Sequence, residues 1–159
     1  VIEQIGGSVD LNAGQFIDRV GVALGLGFPA GPKLEELAAT CIGDVPTIPS
    51  VVRDLAISFS GPETGAQRLV AQGTSPPAVA AAVQACVART VVKVLTNATV
   101  RDNIKDVLIT GGVMSNAYIR EYVVDKLARK GIKIYIPEAA YSADNAVGVA
   151  YIAKITAER

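Results

Sequence analysis

Residues 107–136 hold the pattern that most narrows the choice of fold. Val107-Leu-Ile-Thr110 has strand character and runs into Gly111-Gly112. Ser115-Asn116 then opens a helical pattern with Ile119, Val123 and Leu127 on one face. Gly131 closes that helix at the position where a left-handed residue is favoured. Ile132, Ile134 and Ile136 alternate with Lys133 and Tyr135, the mark of a half-buried strand, and Pro137 ends it. Two strands bracketing a helix through short connections make a right-handed βαβ unit the default. At the junction of such a strand with its helix, backbone N–H groups and a short polar side chain converge at a sheet edge. Open α/β folds bind ligands there, nucleotides by default. The double glycine allows a ligand to approach the backbone closely. A plain strand-turn-helix connection is the alternative.

The first half of the chain adds a second unusual pattern. Val1–Ile5 reads as a short strand ended by Gly6-Gly7, and Ser8-Val9-Asp10 as a helix start. From Leu11 to about Leu26 the apolar residues Ala13, Phe16, Ile17, Val20 and Leu24 follow helical spacing. Asp10, Gly14, Asp18, Gly21 and Gly25 recur on another face of the same helix. An interior glycine costs a helix about 1 kcal/mol relative to alanine. A face of glycines and acids therefore implies close approach by another helix or by a ligand, and the carboxylates favour the ligand.

Gly25–Pro32 is a Gly/Pro loop, and Pro32 suits the first turn of a helix over Lys33–Thr40. Gly43–Ser50 reads as a turn-rich linker and Ala56–Ser60 as a strand, with Gly61–Gly65 leading into a helix to Gln72. Ser75 and Pro76 open a long helix to about Thr96. Ser142–Asn145 starts a last helix through about Thr156. The second half is thus α-β-α-β-α.

Composition excludes several function classes. The 159 residues suffice for one domain with a core, and half of them are hydrophobic. Fifteen basic residues balance fifteen acidic ones, which argues against a free-standing DNA- or RNA-binding module. There is no histidine, so imidazole base catalysis and histidine metal ligation are closed to this chain acting alone. Cys41 and Cys86 lie far apart in apolar surroundings and read as buried free thiols of a cytosolic protein, with one disulfide as the alternative. The longest nearly apolar run, Ala78–Ala88, is too short to span a bilayer. No signal peptide is expected, and a chain that begins with valine in mid-pattern reads as a piece of a longer protein.

Several stretches then converge on one family. Asp10-Leu-Asn-Ala-Gly-Gln-Phe-Ile-Asp18 resembles its DxAxGxxxD helix, and Leu24-Gly-Leu-Gly-Phe-Pro-Ala-Gly-Pro-Lys-Leu-Glu35 its LGLGYPGGPxxE loop. Ile57-Ser-Phe-Ser-Gly61 resembles FSFSG, Gly111-Gly-Val-Met-Ser-Asn116 resembles GGVAAN, and Pro137 with Tyr141-Ser-Ala-Asp-Asn-Ala146 resembles P…YCTDNA. Order and spacing fit along essentially the whole chain, which is similar to the C-terminal lobe of the TsaD/Gcp family, once called O-sialoglycoprotein endopeptidase. The resemblance implies an α/β fold, one lobe of an actin-like ATPase (ribonuclease H-like, sugar kinase/Hsp70 superfamily) with added helices. It implies a single domain over 1–159 as the nucleotide-binding lobe of a two-lobed protein, its N-terminal lobe absent here. The implied activity is a cytoplasmic, metal-dependent transfer of threonylcarbamoyl from threonylcarbamoyl-adenylate to adenosine beside the tRNA anticodon. The implied cofactors are ATP or that adenylate and a divalent metal, iron or zinc. Partners implied for the full-length protein are tRNA and accessory modification proteins, with a homodimer possible and no membrane or DNA.

Carried over residue by residue, Asp18, Gly31 and Glu35 would contact the nucleoside. Gly111 and Gly112 would give it room, Asn116 would bind it, and Asp144 would ligate the metal. Asp144 and Asn116 also have a simpler reading as helix caps. The sequence departs from the family at Ala30 (for the first glycine of PGGP), Glu63 (for a lysine), Met114-Ser115 (for two small residues) and Ser142 (for a cysteine). The family's first phosphate loop, its histidine metal ligands and its second phosphate loop belong to the other lobe. The chain alone is therefore expected to fold, to hold no nucleotide or metal tightly and to be inactive. A diverged, non-catalytic paralogue acting as a scaffold is the alternative. A metal-dependent glycoprotease ranks last, since no HExxH pattern is present.

Overall fold

The computed structural model describes residues 2–137 and 146–157. Its central element is α4 (Pro76–Arg101), in which every residue from Ala78 to Ala88 is buried. Alanine and valine dominate this stretch, and small side chains all round let neighbours approach from every side, as in a core helix. The helix runs a turn past Thr96 to Arg101. At that length it is apolar enough to cross a membrane, but 67% of its most apolar window lies inside the fold.

Four helices pack around it. They are α1 (Ala13–Ala23), α2 (Gly31–Ala39), α3 (Ser60–Ala71) and α5 (Ala117–Ala128). The apolar faces read from the sequence supply the core: Phe16, Ile17 and Val20 from α1, and Ile119, Val123 and Leu127 from α5, are all buried. Phe16 stacks on Phe59 with ring centroids 5.5 Å apart. The last helix, α6, spans Ala146–Ala157.

Two small sheets flank the helices. β1 (Gly7–Ser8) runs parallel to β3 (Ala56–Ser58), which pairs antiparallel with β2 (Val51–Arg53) in the register Val52↔Ile57. β4 (Asp106–Leu108) and β5 (Lys133–Tyr135) are parallel, Val107 opposite Ile134, with α5 as the intervening helix. The expected βαβ unit is thus present in strand direction and order.

Three local expectations move. The strand read at Val1–Ile5 is not formed over its described residues 2–5, and the strand falls instead on Gly7–Ser8, where its end was read. A Cβ at Gly6 would stand 2.6 Å from the Leu55 Cβ and carbonyl oxygen, so only glycine lets the chain reach this edge. The start of α1 is Asn12 rather than Ser8–Asp10, through a reciprocal capping box with Gln15. Ser75 precedes Pro76 as expected but makes no side-chain cap.

Candidate nucleoside-binding cavity

A cavity of about 620 Å³ opens where α1, the start of α2 and the turn after β4 meet. Helix α1 lends Asn12, Gly14, Ile17 and Asp18, α2 lends Gly31, Pro32 and Glu35, and the turn lends Gly112, Val113, Ser115 and Asn116. Of the residues singled out from sequence, Asp18, Gly31, Glu35, Gly112 and Asn116 meet at this one cavity. Gly111 does not line the cavity but precedes Gly112 in the turn, where its φ of 112° is a backbone state that glycine alone adopts readily. Asp144 lies outside the described residues.

Asp18, Glu35 and Asn116 are each held by side-chain hydrogen bonds and keep capacity for another. Asp18 accepts a hydrogen bond at Oδ1 from the Ala30 N–H, 2.8 Å away, which fixes the loop leading into α2. Glu35 accepts at Oε1 from the Ala117 N–H at 2.7 Å and so ties α2 to the first turn of α5. Asn116 does cap α5, accepting at Oδ1 from Ile119 N–H at 2.8 Å. Its amide donates to the Gln84 Oε1 at 3.3 Å. An amide nitrogen carries two hydrogens, so one remains. Gln84 was missed by sequence reasoning. Its signal was a lone carboxamide inside the apolar run 78–88, and at 6% exposure it acts as a buried orienting group.

The glycines divide by function. A Cβ at Gly21 would come 2.2 Å from the Ala30 Cβ, so this glycine serves the contact between α1 and α2. Ala30 is fully buried there and does not line the cavity, so its departure from the family pattern leaves the cavity walls untouched. Gly31 and Gly112 are different. A Cβ at either would meet no protein atom within 4 Å, and both line the cavity. Packing does not demand glycine at these positions, whereas a ligand lying against the backbone does.

Asp10 leaves the face it shares with Asp18 on a helical projection. It precedes α1 and accepts hydrogen bonds from Ser58 Oγ at 2.6 Å, Ser60 Oγ at 2.7 Å and Phe59 N–H at 2.8 Å. It thereby covers the bare N-terminus of α3. Only one of the two acids on that face reaches the cavity.

The cavity lining carries the Asp18 and Glu35 carboxylates and no lysine or arginine. Carboxylates and carboxamides suit hydroxyls and base edges, while a phosphate there would need positive charge from elsewhere. Among the described residues no group of three or more histidine, cysteine, aspartate or glutamate is placed to hold a metal. The described residues therefore fit the nucleoside end of a nucleotide.

A parallel βαβ unit with a cavity at its strand-to-helix turn is consistent with one lobe of an actin-like ATPase fold. Solved structures agree. A crystal structure of HypF from T. kodakarensis superposes with a TM-score of 0.73 at 21% identity, over 91% of this chain and 20% of that one. Full-length HypF in a phosphate- and nucleotide-bound form gives 0.63 at 18% identity, over 79% of this chain and 18% of its own length. The sequence narrows the class further. The family model described as tRNA N6-adenosine threonylcarbamoyltransferase matches residues 1–151, and the chain belongs to that family. Proteins of that name from Chloroherpeton thalassium and Archaeoglobus fulgidus are 29% and 32% identical, over 99% and 92% of this chain. The alignments take in 50% and 45% of those proteins, so the chain spans about half the length of the curated relatives it matches.

Proposed function

We propose that this chain is the C-terminal, nucleotide-binding lobe of a tRNA threonylcarbamoyltransferase. The observation that carries the reading is the cavity itself. Glycines with no packing role line it beside oriented carboxylates, at the turn where the family motif falls. Asp18 and Glu35 accept hydrogen bonds from the ribose hydroxyls of threonylcarbamoyl-adenylate or ATP, and the remaining amide hydrogen of Asn116 donates to the nucleoside. Gly31, Gly111 and Gly112 let the nucleoside lie on the backbone. The phosphate points away from these acids, towards residues of the other lobe. Asp144 would be this lobe's ligand for a divalent metal, iron or zinc, which when bound would supply the positive charge that this cavity lacks. The acceptor is the adenosine beside the anticodon of a tRNA, and the full-length protein works in the cytoplasm with accessory modification proteins.

A second reading, a diverged paralogue serving as a scaffold, draws its support from Glu63, which stands where the family pattern that the chain resembles has a lysine. Genetic rescue separates the two. The full-length protein is expected to restore threonylcarbamoyladenosine in tRNA from a strain depleted of its own enzyme, measured by mass spectrometry of digested tRNA. Good expression without the modified nucleoside would overturn the transferase reading in favour of the scaffold.

A further inference from the structure

A second groove, of about 410 Å³, shares Asp18 with the cavity but is otherwise separate from it. Gln15, Arg19 and Val22 of α1, Phe28 of the loop before α2, and Glu63 and Gln67 of α3 complete its lining. Phe28 is 77% exposed and Val22 52%, an aromatic ring and an aliphatic side chain presented to whatever enters. Asp18, Glu63 and Arg19 form no ion pair among the described residues, although all three face one groove. Each carboxylate is held by one oxygen. Asp18 Oδ1 accepts from the Ala30 N–H at 2.8 Å and Glu63 Oε1 from the Gln67 amide at 3.1 Å. The other oxygen of each has no hydrogen-bond donor among the described residues.

The chemistry of an occupant follows from this lining. Two acids against one base leave the groove net negative, which disfavours a phosphate or a nucleic-acid backbone. A purely apolar segment would strand two carboxylates away from water without a partner. A guanidinium satisfies every feature at once. It stacks on an aromatic face, forks onto a carboxylate and carries an aliphatic stem that packs on apolar surface. We propose that this groove receives an arginine side chain from a partner protein, its guanidinium stacked on Phe28 and forked onto Glu63, with Val22 against its stem. Glu63 is then the residue that sets specificity. A lysine there would turn the lining to two bases against one acid and repel the same occupant.

The probes are short capped peptides, Gly-Arg-Gly and its citrulline counterpart, titrated into the ¹⁵N-labelled chain. Citrulline keeps the shape and loses the charge. The arginine peptide is expected to shift the amides of Arg19, Val22, Phe28, Glu63 and Gln67, and the citrulline peptide to bind at least tenfold more weakly. Glu63→Gln should weaken the arginine peptide severalfold, and Glu63→Lys should abolish its effect on these amides while the rest of the spectrum stays folded. Phe28→Ala gives an independent check on the stacking. Equal binding of both peptides, or unchanged binding in Glu63→Lys, would overturn the proposal. So would stronger shifts of the Glu63 and Gln67 amides, which lie outside the cavity, by adenosine monophosphate, which would make the groove a nucleotide subsite. None of the peptides contains a nucleotide, so the outcome is independent of whether the cavity binds one.

Discussion

The Asp10 carboxylate takes hydrogen bonds from two serine hydroxyls and from the backbone N–H of Phe59, all within 2.8 Å. The Ser58 and Ser60 hydroxyls, then the Phe59 N–H, stabilise its charged form and hold its pKa well below the usual carboxylate range. The sign of the pH effect follows from linkage. A carboxyl whose folded pKa lies below its unfolded value contributes stability that is complete above about pH 4 and is lost as pH falls further. Asp10→Asn is therefore expected to lower the urea midpoint at pH 7. The gap between wild type and variant should shrink steadily between about pH 4 and pH 2. A gap that stays constant across that range would show that the carboxylate charge plays no part. The charge patterning of the sequence placed Asp10 beside Asp18 because a helical projection assumes that both residues lie in the helix. Asn12 starts the helix, and the projection fails one turn too early.

At the scale of elements, the seam between α1 and α2 turns on one missing methyl group. A Cβ at Gly21 would sit 2.2 Å from the Ala30 Cβ, and Ala30 is fully buried with its N–H bonded to Asp18. Gly21→Ala gains about 1 kcal/mol in helix propensity but forces the helices apart, at about 1–3 kcal/mol for overpacking. The expected net is a loss of about 1 kcal/mol, a fall in Tm of a few degrees by thermal denaturation. An increase in Tm would mean that the seam yields freely. Gly31→Ala has the opposite profile. It meets nothing within 4 Å, so stability should hold within about 0.5 kcal/mol, while a methyl group now projects into the cavity. Calorimetric titration of adenosine should then show at least a tenfold weaker response than wild type, and an unaltered response would remove Gly31 from the site. The helices were legible because their apolar periodicity is strong and their cores need it. Of the strands, β3, β4 and β5 fall within or beside the stretches read as strands, whereas β1 is displaced and β2 was unforeseen. Those are short strands fixed by partners distant in sequence, and local pattern carries little trace of such pairing. The glycines were legible as a group but not as individuals, because only the packed neighbours tell Gly21, which admits a helix, from Gly31, which leaves a space.

On the scale of the whole molecule, charge decides what one lobe can bind. The net charge of the chain is zero, and the cavity is lined by two carboxylates with no lysine or arginine. A nucleotide bound here alone would place its phosphates in a field of the same sign. Ribose and base gain from the Asp18 and Glu35 carboxylates and the Asn116 amide, whereas the triphosphate gains nothing from the lining and is left to water. Isolated and without metal, the chain should therefore bind adenosine at least as well as ATP, both with dissociation constants above about 100 µM. Raising the salt concentration should bring the two closer together as the repulsion is screened. The full-length protein should reverse the order, ATP binding well over tenfold more tightly than adenosine, because the phosphate contacts and the metal charge come from the other half of the site. Calorimetry on both forms tests this. Submicromolar binding of ATP to the isolated chain would mean that this lobe carries its own phosphate site, and the division of labour between the lobes would have to be abandoned.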